Sequence, residues 1–225
     1  MDTSDSSAAQ AADTEGALSF AEARVLGCLM EKEATTPEYY PLTLGSLTAA
    51  CNQKSNRSPV VEWDAKVVEA AMEGLRRRRL AVMISVAGSR GPKYKHSISN
   101  VYGGLDEGMT AILCELLLRN GQTVSELRTR TERMHAFPSP EAAEEWAMKL
   151  VNYPVAPLAV MLPPGAGRRV KAYAHLLCGP VDAGALSAPS PLVEAPPPED
   201  WKAKVEAELS ALRSELERIK SSLGL

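Results

Sequence analysis

The sequence lacks any pair of cysteines at CxxC spacing. Cys28, Cys51, Cys114 and Cys178 stand far apart, which excludes a zinc ribbon or a thioredoxin-type motif. It has no run of 18 apolar residues, so nothing in it reads as a membrane span. Its N-terminus lacks a basic region followed by an apolar core and does not read as a secretory signal. Catalytic signatures are missing as well: there is no Walker A loop, no GxSxG, no HExxH and no Rossmann glycine fingerprint. These absences point to a cytoplasmic, non-enzymatic protein with reduced thiols, no metal and no cofactor.

What is present is an ordinary globular composition of 225 residues, 45% hydrophobic and 24% charged. The net charge of −3 argues by itself against nucleic acid as a partner. Its distribution is more informative. Segment 1–17 holds −4 and segment 179–225 holds −3, whereas 18–178 holds +4. The excess lies wholly in 18–104, with 12 basic and 8 acidic residues; 105–178 is balanced at eight each.

Residues 1–17 are rich in Ser, Ala and Asp and read as a disordered tail. Residues 179–199 hold six prolines among Ala, Gly and Ser and read as a linker. Between them, Ser19 and Glu22 form a capping box for a helix to about Lys32, with Val25, Leu26, Leu29 and Met30 at helical spacing. Thr43 opens a helix from Leu44 to Cys51, and a third helix runs from near Asp64 to Arg79. Leu80–Val86 and Tyr94–Ile98 alternate apolar and polar residues around a turn composition, which predicts a β-hairpin.

The same order then repeats. Leu105-Asp106 echoes Leu18-Ser19 at an offset of 87, Thr123–Leu127 echoes Thr43–Leu47 at 80, and Tyr173–Leu177 echoes Tyr94–Ile98 at 79. Ser139 and Pro140 open a helix to Val151, and Leu158–Leu162 with Val170–Leu177 forms a second hairpin. The expected fold is α+β, mainly α: two tandem winged helix-turn-helix domains, 18–104 and 105–178, plus a C-terminal amphipathic helix over 200–225. In that last segment Val205, Leu209, Leu212, Leu216, Ile219 and Leu223 form a heptad seam. Coiled-coil pairing into a homodimer and docking on the chain's own domain are both compatible with it.

In a helix-turn-helix the later helix presents its N-terminal residues to base edges. Asn52, Gln53, Lys54, Asn56 and Arg57 lead toward that helix, Lys66 lies on it, and Arg76 to Arg79 end it. Arg90, Lys93 and Lys95 mark the wing. Asn, Gln and Arg are the side chains that pair bidentately with adenine and guanine, so double-stranded DNA is the leading partner. The bland readings are a capping loop for 52–57 and a helix-dipole contact for the arginines. The second repeat places Glu141, Glu144 and Glu145 where phosphates would lie, which suits a protein contact better, although Arg168, Arg169 and Lys171 remain on its wing. Glu31, Glu33 and Glu38 read as a solvated helix end, His96 and His175 as structural, and Cys28 and Cys114 as small core hydrophobes.

Three stretches carry a resemblance: Glu22–Glu33, with Thr35-Thr36-Pro37 and Tyr40-Pro41-Leu42; Ala50–Val60; and Glu126–Arg130 with Arg133, Met134 and Phe137. Over about 18–178 the chain resembles the bacterial YceH-like family. The resemblance implies tandem winged-helix domains in a bacterial protein and no assigned activity. A DNA-binding regulator acting through the first repeat is the expected function. A protein-interaction adaptor using winged helices as docking surfaces is the alternative, and the two separate on whether 52–57, 76–79 and 90–95 form one surface.

Overall fold

Each helix starts where a short polar side chain can cap it. The Ser19 hydroxyl accepts from the Glu22 backbone N–H and the Glu22 carboxylate accepts from the Ser19 N–H, which opens α1 (Phe20–Thr35). Thr43 caps α2 (Leu44–Cys51) and Asp64 caps α3 (Ala65–Arg77). Asp106 caps α4 (Glu107–Leu118), Thr123 and Glu126 form a second capping box on α5 (Val124–Thr131), and Ser139 opens α6 (Pro140–Val151). Helix α1 continues past Lys32, and the Thr35 and Thr36 hydroxyls donate to the carbonyls of its last turn.

These elements belong to a computed structural model that describes residues 16–85, 91–164 and 169–181, all within one compact unit. Residues 1–15 of the expected tail 1–17, Arg90, Arg168, the linker beyond 181 and the heptad residues Val205, Leu209, Leu212, Leu216, Ile219 and Leu223 lie outside the described residues.

Both expected hairpins are present, each with a third strand. In the first sheet, β1 (Leu42–Thr43) and β2 (Ala81–Ile84) flank β3 (Lys93–His96). In the second, β4 (Gln122–Thr123) and β5 (Ala159–Leu162) flank β6 (Ala172–His175). All pairs are antiparallel, with Leu42 opposite Tyr94 and Gln122 opposite Tyr173. A two-residue strand shows no alternation, so the sequence pattern gives no sign of β1 or β4. Each is simply the extended approach to the cap of the following helix.

The described residues thus form a mixed α+β fold of six α-helices and two three-stranded antiparallel sheets, with one helix–strand order occurring twice. Helices α1 and α4 join the copies. Every residue from Glu22 to Glu31 and from Ala111 to Leu118 is buried. Neither helix keeps a wet stripe there, because its own copy covers one side and the other copy's helix covers the rest. Gly27 permits the close approach: a Cβ there would meet Leu117 and Leu118 at 3.0–3.1 Å. Cys114 donates its thiol proton to the Gly27 carbonyl at 3.3 Å. Leu26, Leu29, Ile112, Leu113 and Leu116 fall in one hydrophobic cluster, so the two copies share a core.

Candidate functional site

Residues 52–59 connect α2 to the approach of α3 and form a bracket: Asn52, Gln53, Asn56 and Arg57 all hydrogen-bond within the protein, although Lys54, Ser55 and Asn56 are exposed. Asn52 brackets Trp63, donating to its carbonyl at 2.8 Å and accepting from its N–H at 2.9 Å. Gln53 accepts from Arg57 at 2.9 Å. Asn56 takes a left-handed conformation, φ 56°, and its side-chain oxygen accepts from Arg119 at the end of α4 at 2.7 Å. The Ser58 N–H donates to the Leu118 carbonyl at 3.0 Å. Lys54 alone among the five expected contact residues of this loop is exposed without a role in the bracket.

Arg57 is the largest correction to the surface reading. Its side chain has 0% exposure. Nε donates to the Ala50 carbonyl, and the two Nη groups reach the Glu31 carboxylate at 3.0 and 2.6 Å. Burial works against the charged carboxylate, but these charge-assisted hydrogen bonds outweigh it and hold Glu31 below its ordinary range. Glu31 is therefore not part of a solvated helix end; it is the counter-ion of a buried arginine. Glu33 is also engaged, through His96 Nε2 at 2.5 Å, while Glu38 remains exposed. Burial lowers the His96 pKa despite that carboxylate.

The remaining candidates that the structure describes are placed as follows. Lys66 is exposed near the start of α3, among the exposed carboxylates of Glu62, Asp64 and Glu69. Arg76 pairs with Glu73 at 2.7 Å beside strand β2. Arg78 turns back to the carbonyls of Gly16 and Ala17 and to Glu22. Lys93 and Lys95 pair with Ile84 and Val82 on the outer face of the sheet; Tyr94 and Ala81 are buried on the other side, while Met83, opposite Tyr94, is 45% exposed. Arg77 and Arg79 are exposed. In the second copy Lys171 is bonded to Glu144, which also accepts from the Tyr173 hydroxyl.

Beside α3 lies a feature that the sequence reading missed. Phe20 is 45% exposed and meets the Trp63 ring edge-on, with ring centroids 5.6 Å apart. Val60 is 50% exposed and Val67 39%. Asn52 holds the Trp63 backbone through two hydrogen bonds, and the Trp63 ring rests against Phe20 at the start of α1. The offset of 87 places Glu107, an exposed carboxylate, where the first copy has Phe20. An apolar residue at the first position of a capped helix was the available signal. Among the described residues no group of three or more His, Cys, Asp or Glu side chains is placed to hold a metal, and no helix is long and apolar enough to cross a membrane.

The chain is similar to several bacterial proteins. It is 46% identical over 199 residues to a UPF0502 protein of Pelobacter propionicus, covering 87% of this chain and 90% of that one. It is 51% identical over 171 residues to a UPF0502 protein of Geotalea uraniireducens, covering 76% and 77%. A UPF0502 protein of Vibrio cholerae is 47% identical over 176 residues, covering 77% and 82%. The profile described as "Protein of unknown function, DUF480" matches residues 18–179, which span both copies and the bracket between them. The chain belongs to this uncharacterised bacterial family.

Proposed function

We propose that the chain is a non-enzymatic adaptor of tandem winged-helix units, 18–104 and 105–178, that docks another protein on the face beside the start of α3. The observation that carries this reading is the surface where a DNA-reading helix would need cations. Phe20, Val60 and Val67 are exposed there around Trp63, and Glu62, Asp64 and Glu69 flank them. Carboxylates at that position repel phosphates, and a fixed aromatic patch suits a protein surface bearing apolar side chains and cations. Asn52, Gln53, Asn56 and Arg57, the side chains suited to reading bases, are occupied within the protein. The wider reading is of a cytoplasmic protein whose segment 200–225 pairs two copies. Light scattering on the chain truncated after Pro198 tests that pairing, and an unchanged mass removes the segment as the interface.

The adaptor reading is tested with a photo-crosslinking residue at position 67, in nuclease-treated extract, beside titration of a duplex of about 25 bp in about 50 mM salt. The expected result is one crosslinked protein, lost on Phe20→Glu, and no duplex binding at micromolar protein. Salt-dependent duplex binding that disappears in a Lys66, Lys93 and Lys95 alanine variant overturns the adaptor reading in favour of DNA.

A further inference from the structure

The open edge of the first sheet carries cations that its counterpart in the second copy lacks. Strand β2 lies at that edge, with β3 as its one neighbour among the described strands. The Ser97 N–H donates to the Leu80 carbonyl at 2.8 Å, whereas the His96 N–H turns the other way, to the Tyr40 hydroxyl at 2.7 Å. Backbone groups point to alternate sides along an antiparallel ladder. Val82 and Ile84 therefore bond to β3, and Ala81 and Met83 aim their N–H and C=O groups at the open edge. Ala81 is buried at the inner end, but Met83 is 45% exposed and presents both a donor and an acceptor.

An open groove of about 370 Å³ runs beside this edge, between Glu73, Arg76 and Arg77 of α3 and Ala81, Val82 and Met83 of β2. Glu73 is the one carboxylate that lines it, and Arg76 takes that carboxylate. Arg77 is exposed with no ion pair to a described residue, and exposed Arg79 stands just before the strand. Lys95 and Lys93 lie across from Val82 and Ile84. The second sheet has the same edge, since the Leu176 N–H donates to the Leu158 carbonyl at 2.9 Å and Met161 is 41% exposed. The Leu80 N–H bonds to the Leu75 carbonyl and the Leu158 N–H to the Leu150 carbonyl, which aligns α6 on α3. Met148, Val151 and Asn152 then take the places of Glu73, Arg76 and Arg77. The repeat supplies the edge, and the first copy alone adds the cations.

We propose that the β2 edge binds an extended acidic segment of a partner protein by strand addition. One residue of that segment exchanges both backbone bonds with Met83, and its side chains alternate between two faces. Carboxylates on the α3 side meet Arg77, and β-branched side chains on the other side lie beside Val82 and Ile84. A phosphate backbone offers acceptors only and leaves the Met83 carbonyl unmatched, whereas a peptide supplies donor and acceptor. A second copy paired edge to edge brings Arg77 against Arg77. The chain's own segment 1–15 is acidic but rich in Asp and Ala, which are depleted in strands. This groove lies at the end of α3 away from Phe20 and Val67, so it is a second docking site and does not rest on the adaptor reading.

The probe is a capped peptide of alternating Glu and Val, titrated into the full chain while NMR follows amide exchange residue by residue. At peptide about ten times its Kd, exchange of the Met83 N–H is expected to slow about tenfold, with the Trp63 N–H unchanged. Arg76→Glu with Arg77→Glu is expected to abolish the effect. Met83→Pro, which removes an outward N–H and spares the β2–β3 ladder, is expected to weaken it. A peptide alternating Lys and Val is expected to be inert. No slowing at about 1 mM acidic peptide overturns the proposal, as does equal slowing by the lysine peptide or an undiminished effect in the double variant. Three further outcomes also overturn it by naming another occupant. These are slow Met83 exchange in the free chain that quickens on deletion of 2–15, slowing that grows with protein concentration, and slowing by a DNA duplex. The wild-type titration decides the matter even where Met83→Pro fails to fold.

Discussion

The two copies anchor the segment after their second helix in different ways. Eighty positions apart, Arg57 and Phe137 occupy the same place and are equally buried. In the first copy the anchor is an ion pair with Glu31, and neighbouring Asn56 and Ser58 reach across to α4. In the second it is an aromatic ring beside His135, and the Phe137 carbonyl accepts from Arg128 within the same copy. An aromatic ring stabilises by area alone, whereas a buried arginine demands a specific partner and fixes geometry. The first copy therefore carries the joint between repeats, and the second needs only a local plug. The histidines differ in parallel: His96 has Glu33, and buried His175 has no partner at Nδ1.

The sharpest way to break this comparison is at the anchors. Arg57→Ala leaves buried Glu31 with only the half-buried Lys32 at 3.2 Å to pair with it and is expected to cost about 3 kcal/mol in urea unfolding. Phe137→Ala is expected to cost a similar amount through its cavity. They part in combination: Arg57→Met with Glu31→Leu recovers most of the loss, while no second change near Phe137 repairs that cavity. Additive losses at 31 and 57 would show that the pair does not act as a unit.

Glu115 gives the next effect. Its folded pKa of about 7 lies above the unfolded value, so its contribution is full in acid and is lost as pH rises through about 7. Glu115→Gln is expected to raise stability at about pH 8 by about 2–3 kcal/mol and to leave it nearly unchanged at about pH 4. An equal gain at both pH values would contradict the linkage.

His175 runs the other way. Burial lowers its pKa to about 4, below the unfolded value, so its contribution is present above about 6.5 and is lost as pH falls. Thermal scans of His175→Leu are expected to lack about 2 kcal/mol of the wild-type loss between about pH 7 and pH 5. A wild-type-like acid slope in the variant would place that loss elsewhere.

The capping boxes are the smallest test, since here the copies agree. Ser19→Ala and Thr123→Ala are each expected to cost about 1 kcal/mol. A cost confined to one of them would mean that the two starts are not equivalent.

Much of the fold is legible in the chain because its signals are local. Ser19 with Glu22, Thr43, Thr123 and Ser139 with Pro140 mark helix starts within a few residues, and alternation marks the strands of both hairpins. The site is less legible. Asn52 to Arg57 has the composition of a base-reading loop, but a guanidinium recognises a carboxylate as readily as a guanine. Nothing local tells whether its partner is DNA or Glu31, 26 residues earlier. The exposed patch of Phe20, Val60 and Val67 was hidden for the converse reason: apolar residues at helical spacing read as core until the opposing surface is known.

The net charge of −3 shows the same division. The sequence alone determines the α-helices, the hairpin strands, their repetition and the +4 in 18–104. Tertiary structure decides where that charge goes: Arg24 and Arg57 into the core, Arg76 onto Glu73, Arg78 onto the start of the chain's first helix, and Lys93 with Lys95 onto the outer face of a sheet. Periodicity and capping act within a few residues, and so the sequence records them. A buried charge is stabilised by whichever side chains the packing of α1, α2 and α4 brings together, and only the folded chain defines that meeting.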